Sequence, residues 1–90
     1  MAKRLLVTGR VQGVGYRVSF AEQAKALGLV GWVRNRRDGA VEALLNGDEK
    51  AMQAVIAWAH QGPPAASVVH VAIEDAAAPA DGDFRILPTA

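Results

Sequence analysis

The residues with chemical potential gather in two short segments. The first is Gly9-Arg10-Val11-Gln12-Gly13-Val14-Gly15, followed at once by Tyr16-Arg17. It follows a leucine- and valine-rich run and opens a stretch of helical period, so loop N–H groups and a helix N-terminus converge on one spot. That combination makes an anion site and suits phosphate best. The spacing G-x-x-x-G-x-G lacks the Gly-Lys pair of a P-loop, and Val18 stands where a dinucleotide fingerprint needs its last glycine. Arg17, where the helix begins, adds a bidentate donor beside the converging amides. The plainer alternative is a glycine turn followed by a solvated arginine. The second segment is Gly31-Trp32-Val33-Arg34-Asn35, leading to Asp38-Gly39. Asn35 ends a strand just before a tight turn. It either bonds its own backbone or presents one acceptor and two donors at the end of a sheet.

What is missing narrows the chemistry. There are no cysteines, which removes disulfides, thiolate zinc sites and a phosphocysteine intermediate. His60 and His70 lie outside both segments and read as structural, one near a helix C-terminus and one within a strand. No His or carboxylate cluster has metal-ligand spacing, and Asp81-Gly82-Asp83 lacks the further acids of a calcium loop. Ser19 and Ser67 have no evident base partner. No metal or cofactor is expected.

These segments must be carried by a small set of elements. Residues 3–8 read as a strand closed by Gly9. From about Arg17, Phe20, Ala24 and Leu27 share one helical face, and Gly28 suits a left-handed cap. Residues 29–35 and 40–46 flank the hairpin signal Asp38-Gly39. In the second of these strands Val41, Ala43 and Leu45 mark a buried face. Asp48 is placed to cap a second helix, whose apolar face is Met52, Val55, Ile56 and Ala59 and which Gly62-Pro63-Pro64 ends. Residues 68–74 form a strand with Val69, Val71 and Ile73 on one face. A loop over 76–82 then leads to a short strand at 84–87. The order β-α-β-β-α-β plus a small extra strand points to an α+β fold of the ferredoxin-like kind, an antiparallel sheet with two helices on one face.

Composition bounds the partners. Residues 1–90 are expected to form one domain, with a core of Val, Leu and Ile, since 18 residues are alanine and five aromatic. Tyr16, Phe20, Trp32, Trp58 and Phe84 are too scattered for a base-stacking platform, and most are assigned to the core. A net charge of +1 argues against nucleic-acid or membrane binding. Yet residues 1–47 hold eight basic and three acidic side chains, against two and six in residues 48–90. A small anion fits the basic half. The run Leu5-Leu6-Val7 is shorter than the ~7–15 apolar residues of a signal peptide, and no stretch approaches the ~20 of a membrane span. A cytoplasmic monomer is expected.

Taken together, the two segments resemble a known family. Gly9 through Arg17, and Gly31-Trp32-Val33-Arg34-Asn35 with Gly39, Val41 and Gly47 in register, look like the two signature blocks of acylphosphatases. The resemblance spans the chain and implies the ferredoxin-like βαββαβ fold. It also implies hydrolysis of acyl phosphates to a carboxylate and inorganic phosphate. By position it puts the phosphate-binding loop on Gly9 to Gly15, the catalytic arginine on Arg17 and the catalytic asparagine on Asn35. An acyl phosphate is the implied substrate, with inorganic phosphate or sulfate as competing anion. Where members commonly carry Thr or Ser after the asparagine, with a hydroxyl that helps hold it, this chain has Arg36. Arg36 is expected to add a cation near the site and to favour substrates of greater negative charge. The rival implied by the same resemblance is a non-catalytic phosphate- or carbamoyl-phosphate-binding module, as at the start of hydrogenase-maturation carbamoyltransferases. Those proteins continue into chain with zinc-finger-type cysteines, so the free enzyme is the expected form here.

Overall fold

Alternating apolar residues and two amphipathic helices give a five-stranded sheet with both helices on one face. The structure, a computed structural model, describes residues 1–79 and 82–90. The elements are β1 (Ala2–Arg10), α1 (Tyr16–Ala26), β2 (Val30–Asn35), β3 (Val41–Asn46), α2 (Glu49–Ala59), β4 (Ser67–Ala76) and β5 (Phe84–Ile86). The sheet order is β4-β1-β3-β2-β5. The first four strands pair antiparallel, the ferredoxin-like plan. β5 runs parallel to β2, so the sheet is mixed where an antiparallel one was expected. The cause is the added strand, which lies on the outer edge of β2 and points the same way. Of the expected 76–82 loop, Ala76 still belongs to β4, and Ala80 and Asp81 lie outside the described residues.

The register puts Leu5 and Val7 beside Ala43 and Val41, and Val7 beside Val71. These side chains meet Tyr16, Phe20 and Ala24 of α1 and Met52, Val55 and Ala59 of α2 in one buried cluster. Trp58 closes it, its ring 5.4 Å from Tyr16 and 5.9 Å from Phe20. Of Val69, Val71 and Ile73, read as sharing one face of this strand, only Val71 is buried, and Val69 and Ile73 are exposed. β4 is an edge strand, and a bulge between Thr8 and Gly9 shifts the register against its first half. Trp32 lies outside the core, on the other face of the sheet, where the Arg34 guanidinium sits 4.6 Å from its ring centre. Among the described residues no helix is long and apolar enough to cross a membrane.

That helix-free face carries a buried acid. The Glu42 side chain is only 6% exposed and accepts from Arg4 Nε (2.7 Å) and Arg34 Nε (2.8 Å). Burial pushes its carboxyl up, but the hydrogen bonds and charges of Arg34 and Arg4 prevail and hold it below the usual range. The pair Arg34↔Glu42 fixes the β2–β3 register one residue before Asn35. Removing one partner of a buried pair costs ~3–5 kcal/mol, and less where the stranded cations reach water. Arg4 and Arg34 are about one-third exposed, so Glu42→Ala is expected to cost about 2 kcal/mol in urea unfolding at neutral pH. Because the folded-state value is lowered, this contribution is present above the ordinary glutamate pKa of 4.5. It is lost as pH falls through the folded value, so wild type and variant converge in acid.

Candidate active site

β1 delivers the chain to the glycine stretch, which bends into α1. Gly13 (φ 73°) and Gly15 (φ 80°) take left-handed backbone conformations. A Cβ at either would meet nothing within 4 Å, so the requirement is conformational and leaves open space above the loop. Gly9 serves differently. With φ 121°, a Cβ there would lie 2.3 Å from Ser67 O and 2.7 Å from Val69 N, so it admits the close approach of β4.

The start of α1 is left open. Its first intrahelical bond runs from Ser19 N–H to Gly15 O (3.1 Å), so the N–H groups of Tyr16, Arg17 and Val18 have no acceptor within the helix. Gly15 supplies no side-chain cap, and the first turn holds no acid. In α2, by contrast, Asp48 accepts from Ala51 N–H and Glu49 sits in the first turn. The α2 dipole is thus satisfied by the protein's own carboxylates, and that of α1 is not.

In front of this helix end lies a cavity of about 100 Å³, lined by Val11, Gly13, Gly15, Tyr16, Arg17, Val18 and Asn35. It is smaller than the ~300–1,000 Å³ of organic-ligand pockets and suits a tetrahedral anion with its water. Lys3, Arg4, Arg34 and Arg36 all pair with carboxylates. Among the described residues none pairs with Arg17. The Asn35 Oδ1 atom is buried without a hydrogen-bond partner among the described residues. Such an acceptor costs ~1–3 kcal/mol if nothing meets it, and here it belongs to a residue of the cavity wall. Its backbone is fixed at the end of β2, where Asn35 O accepts from Ala90 N–H (3.0 Å).

The structure therefore brings Arg17 and Asn35 together with Val11, Gly13 and Gly15. Gly9, Arg10, Gln12 and Val14 do not line the cavity. Val14 packs against the core, Arg10 is exposed, and Gln12 reaches the β2–β3 hairpin. Arg36, expected to add a cation to the site, turns aside instead. Its Nε lies 3.1 Å from Asp38 Oδ2, and a carboxylate two residues on in the same turn is its nearest counter-charge. Tyr16 and Val18 are wall residues that motif reading left unassigned. The buried Tyr16 hydroxyl donates to Ala59 O (2.7 Å), and burial pushes the phenol up, keeping it a neutral donor that ties α1 to α2.

Fold and site together define an α+β fold with a small cavity between a helix start and a sheet end. The acylphosphatase family model matches residues 3–86, and the chain belongs to that family. It is 57% identical to an acylphosphatase from Azoarcus sp. (strain BH72), covering 99% of this chain and 92% of that one. Such identity supports acylphosphatase activity here. Among solved structures it is similar to acylphosphatase from Bacillus subtilis, at 36% identity and a TM-score of 0.90 over 96% of this chain and 97% of that one. It also overlays, with 26% identity and a TM-score of 0.89, 12% of a full-length HypF solved in a phosphate- and nucleotide-bound form.

Proposed function

We propose that residues 1–90 form one domain that hydrolyses the carboxyl–phosphate bond of acyl phosphates by in-line attack of water, with no phosphoenzyme. The observation that carries this reading is the pairing, across one small cavity, of an uncapped helix start bearing Arg17 with the Oδ1 of Asn35, which has no hydrogen-bond partner among the described residues. A phosphoryl group supplies the negative oxygens that the first fits, and a water supplies the proton that the second needs.

The loop amides and the Arg17 fork bind the non-bridging phosphoryl oxygens and stabilise their charge as the bond to the leaving carboxylate lengthens. Asn35 Oδ1 accepts from the attacking water and aims it at phosphorus. The new P–O bond forms as the acyl oxygen departs as carboxylate, which needs no general acid. An amide is no base at neutral pH, so the water's proton passes to a phosphoryl oxygen of the substrate or to solvent.

The test is loss of benzoyl phosphate on purified protein, with and without chelator. Turnover that EDTA leaves unchanged is expected, with inorganic phosphate competing. A metal requirement would sink the mechanism. Phosphate binding without turnover would favour a binding module.

A further inference from the structure

Gln12 touches no reacting group in this mechanism, yet its side chain is half-buried and crosses from the loop to the β2–β3 hairpin. Nε2 donates to Arg36 O (2.7 Å) and to Ala40 O (2.9 Å). Among the described residues no other side chain bridges loop and hairpin by a hydrogen bond. The two carbonyls belong to a turn with its own bonds, Arg36 N–H to Ala40 O (2.8 Å) and Gly39 N–H to Arg36 O (3.2 Å). The amide thus grips a structure already formed. One primary amide nitrogen supplies both donors. A carboxylate of equal length, or a thioether, supplies neither.

The position of this grip in the chain gives it a direction. Val11 and Gly13, on either side of Gln12, line the cavity, and Asn35 immediately precedes Arg36. Each half of the site is held by its own element, the loop by β1 and α1, and Asn35 by the ladder with Val41. The clamp joins the halves one residue away from the groups that would bind phosphate and water.

We propose that Gln12 is a positioning residue whose side-chain amide fixes the Asn35 hairpin against the anion loop and so sets the line of water attack. This rests on the hydrolytic reading above. Gln12→Met keeps the stem and removes both donors, and Gln12→Glu keeps the length. Either variant suffices if the other fails to fold. Displacements of about 1 Å cost up to ~100-fold in rate, so kcat for benzoyl phosphate is expected to fall about 10- to 100-fold. Inhibition by inorganic phosphate should stay within about threefold, because Arg17 and the loop remain. In an Asn35→Ala background the same change should cost less than about twofold, the signature of coupled residues. Independently of turnover, amide hydrogen exchange at Arg36 and Gly39 should speed up about tenfold, while that at Leu5 in the core does not change.

Equal losses in both backgrounds, a loss carried by phosphate binding, or unchanged exchange would overturn the proposal. Failure of the wild-type protein to turn over would instead overturn the hydrolytic reading, and the exchange rates would still decide the clamp.

Discussion

Replacing Arg17 by lysine is expected to lower kcat/KM for an acyl phosphate about 100- to 1,000-fold, the range for losing one charge-assisted donor to a transition state. Inhibition by inorganic phosphate should weaken with it, by about tenfold, because the planar fork that engages two oxygens at once becomes a single point charge. The side chain has no carboxylate partner among the described residues, so the folded state has no ion pair to lose. Thermal stability should hold within about 0.5 kcal/mol, as for surface changes that touch no structural feature. Steady-state kinetics and phosphate inhibition, read beside a melting curve, check this. A lysine variant with the KM and kcat of the wild type would remove Arg17 from the site.

The electrostatic setting makes so large an effect reasonable. Half of the eight basic side chains of residues 1–47 are paired with carboxylates: Arg4 and Arg34 with Glu42, Arg36 with Asp38, Lys3 with Asp75. The excess positive charge of that half therefore rests on four side chains without a carboxylate partner among the described residues. One of them stands at a helix end where the backbone partial charge is also positive and uncapped. Two cationic sources converge on a cavity with no acid in its wall.

Much of this was legible from residue types and spacing. Element order followed from periodicity, and the Asp48 cap and the Asp38-Gly39 hairpin follow from local chemistry that needs no tertiary partner. Arg17 and Asn35 could be nominated because glycine spacing and a strand end fix where such side chains stand. Four things were not legible. Exposure of Val69 and Ile73 depends on β4 being at the edge, which pattern within one strand does not encode. The same holds for Gly9, whose need for glycine arises from β4 passing close by, some sixty residues away in the chain. The fate of Arg36 turned on competition between an open cavity and Asp38, and the nearer, covalently tethered carboxylate won. Gln12 was placed in the anion loop with its neighbours, but nothing signalled its reach to the hairpin, since an amide in a glycine loop is as readily solvated as bridging.

Asn35 offers the test that separates chemistry from structure most cleanly, because the two predict opposite signs. Its Oδ1 is buried without a partner among the described residues, a condition that costs folding free energy rather than adding to it. Truncation to alanine removes that acceptor together with its desolvation cost, and alanine and asparagine are both poor strand formers. Asn35→Ala is therefore expected to melt at the same temperature as wild type or higher, with a gain of up to about 1 kcal/mol. Turnover should move the other way. Loss of the group that orients the attacking water is expected to lower kcat about 100- to 1,000-fold. Inhibition by inorganic phosphate should remain near wild type, since Arg17 and the loop amides are untouched. Urea unfolding, kcat and phosphate inhibition measured on one preparation give all three readings. A variant that loses stability and phosphate binding in parallel with activity would assign Asn35 to holding the loop. A variant that keeps full turnover would leave the orphaned oxygen without a role in catalysis. The expected combination, a more stable protein that binds phosphate and scarcely turns over, is what results when a buried acceptor is kept for the water it positions.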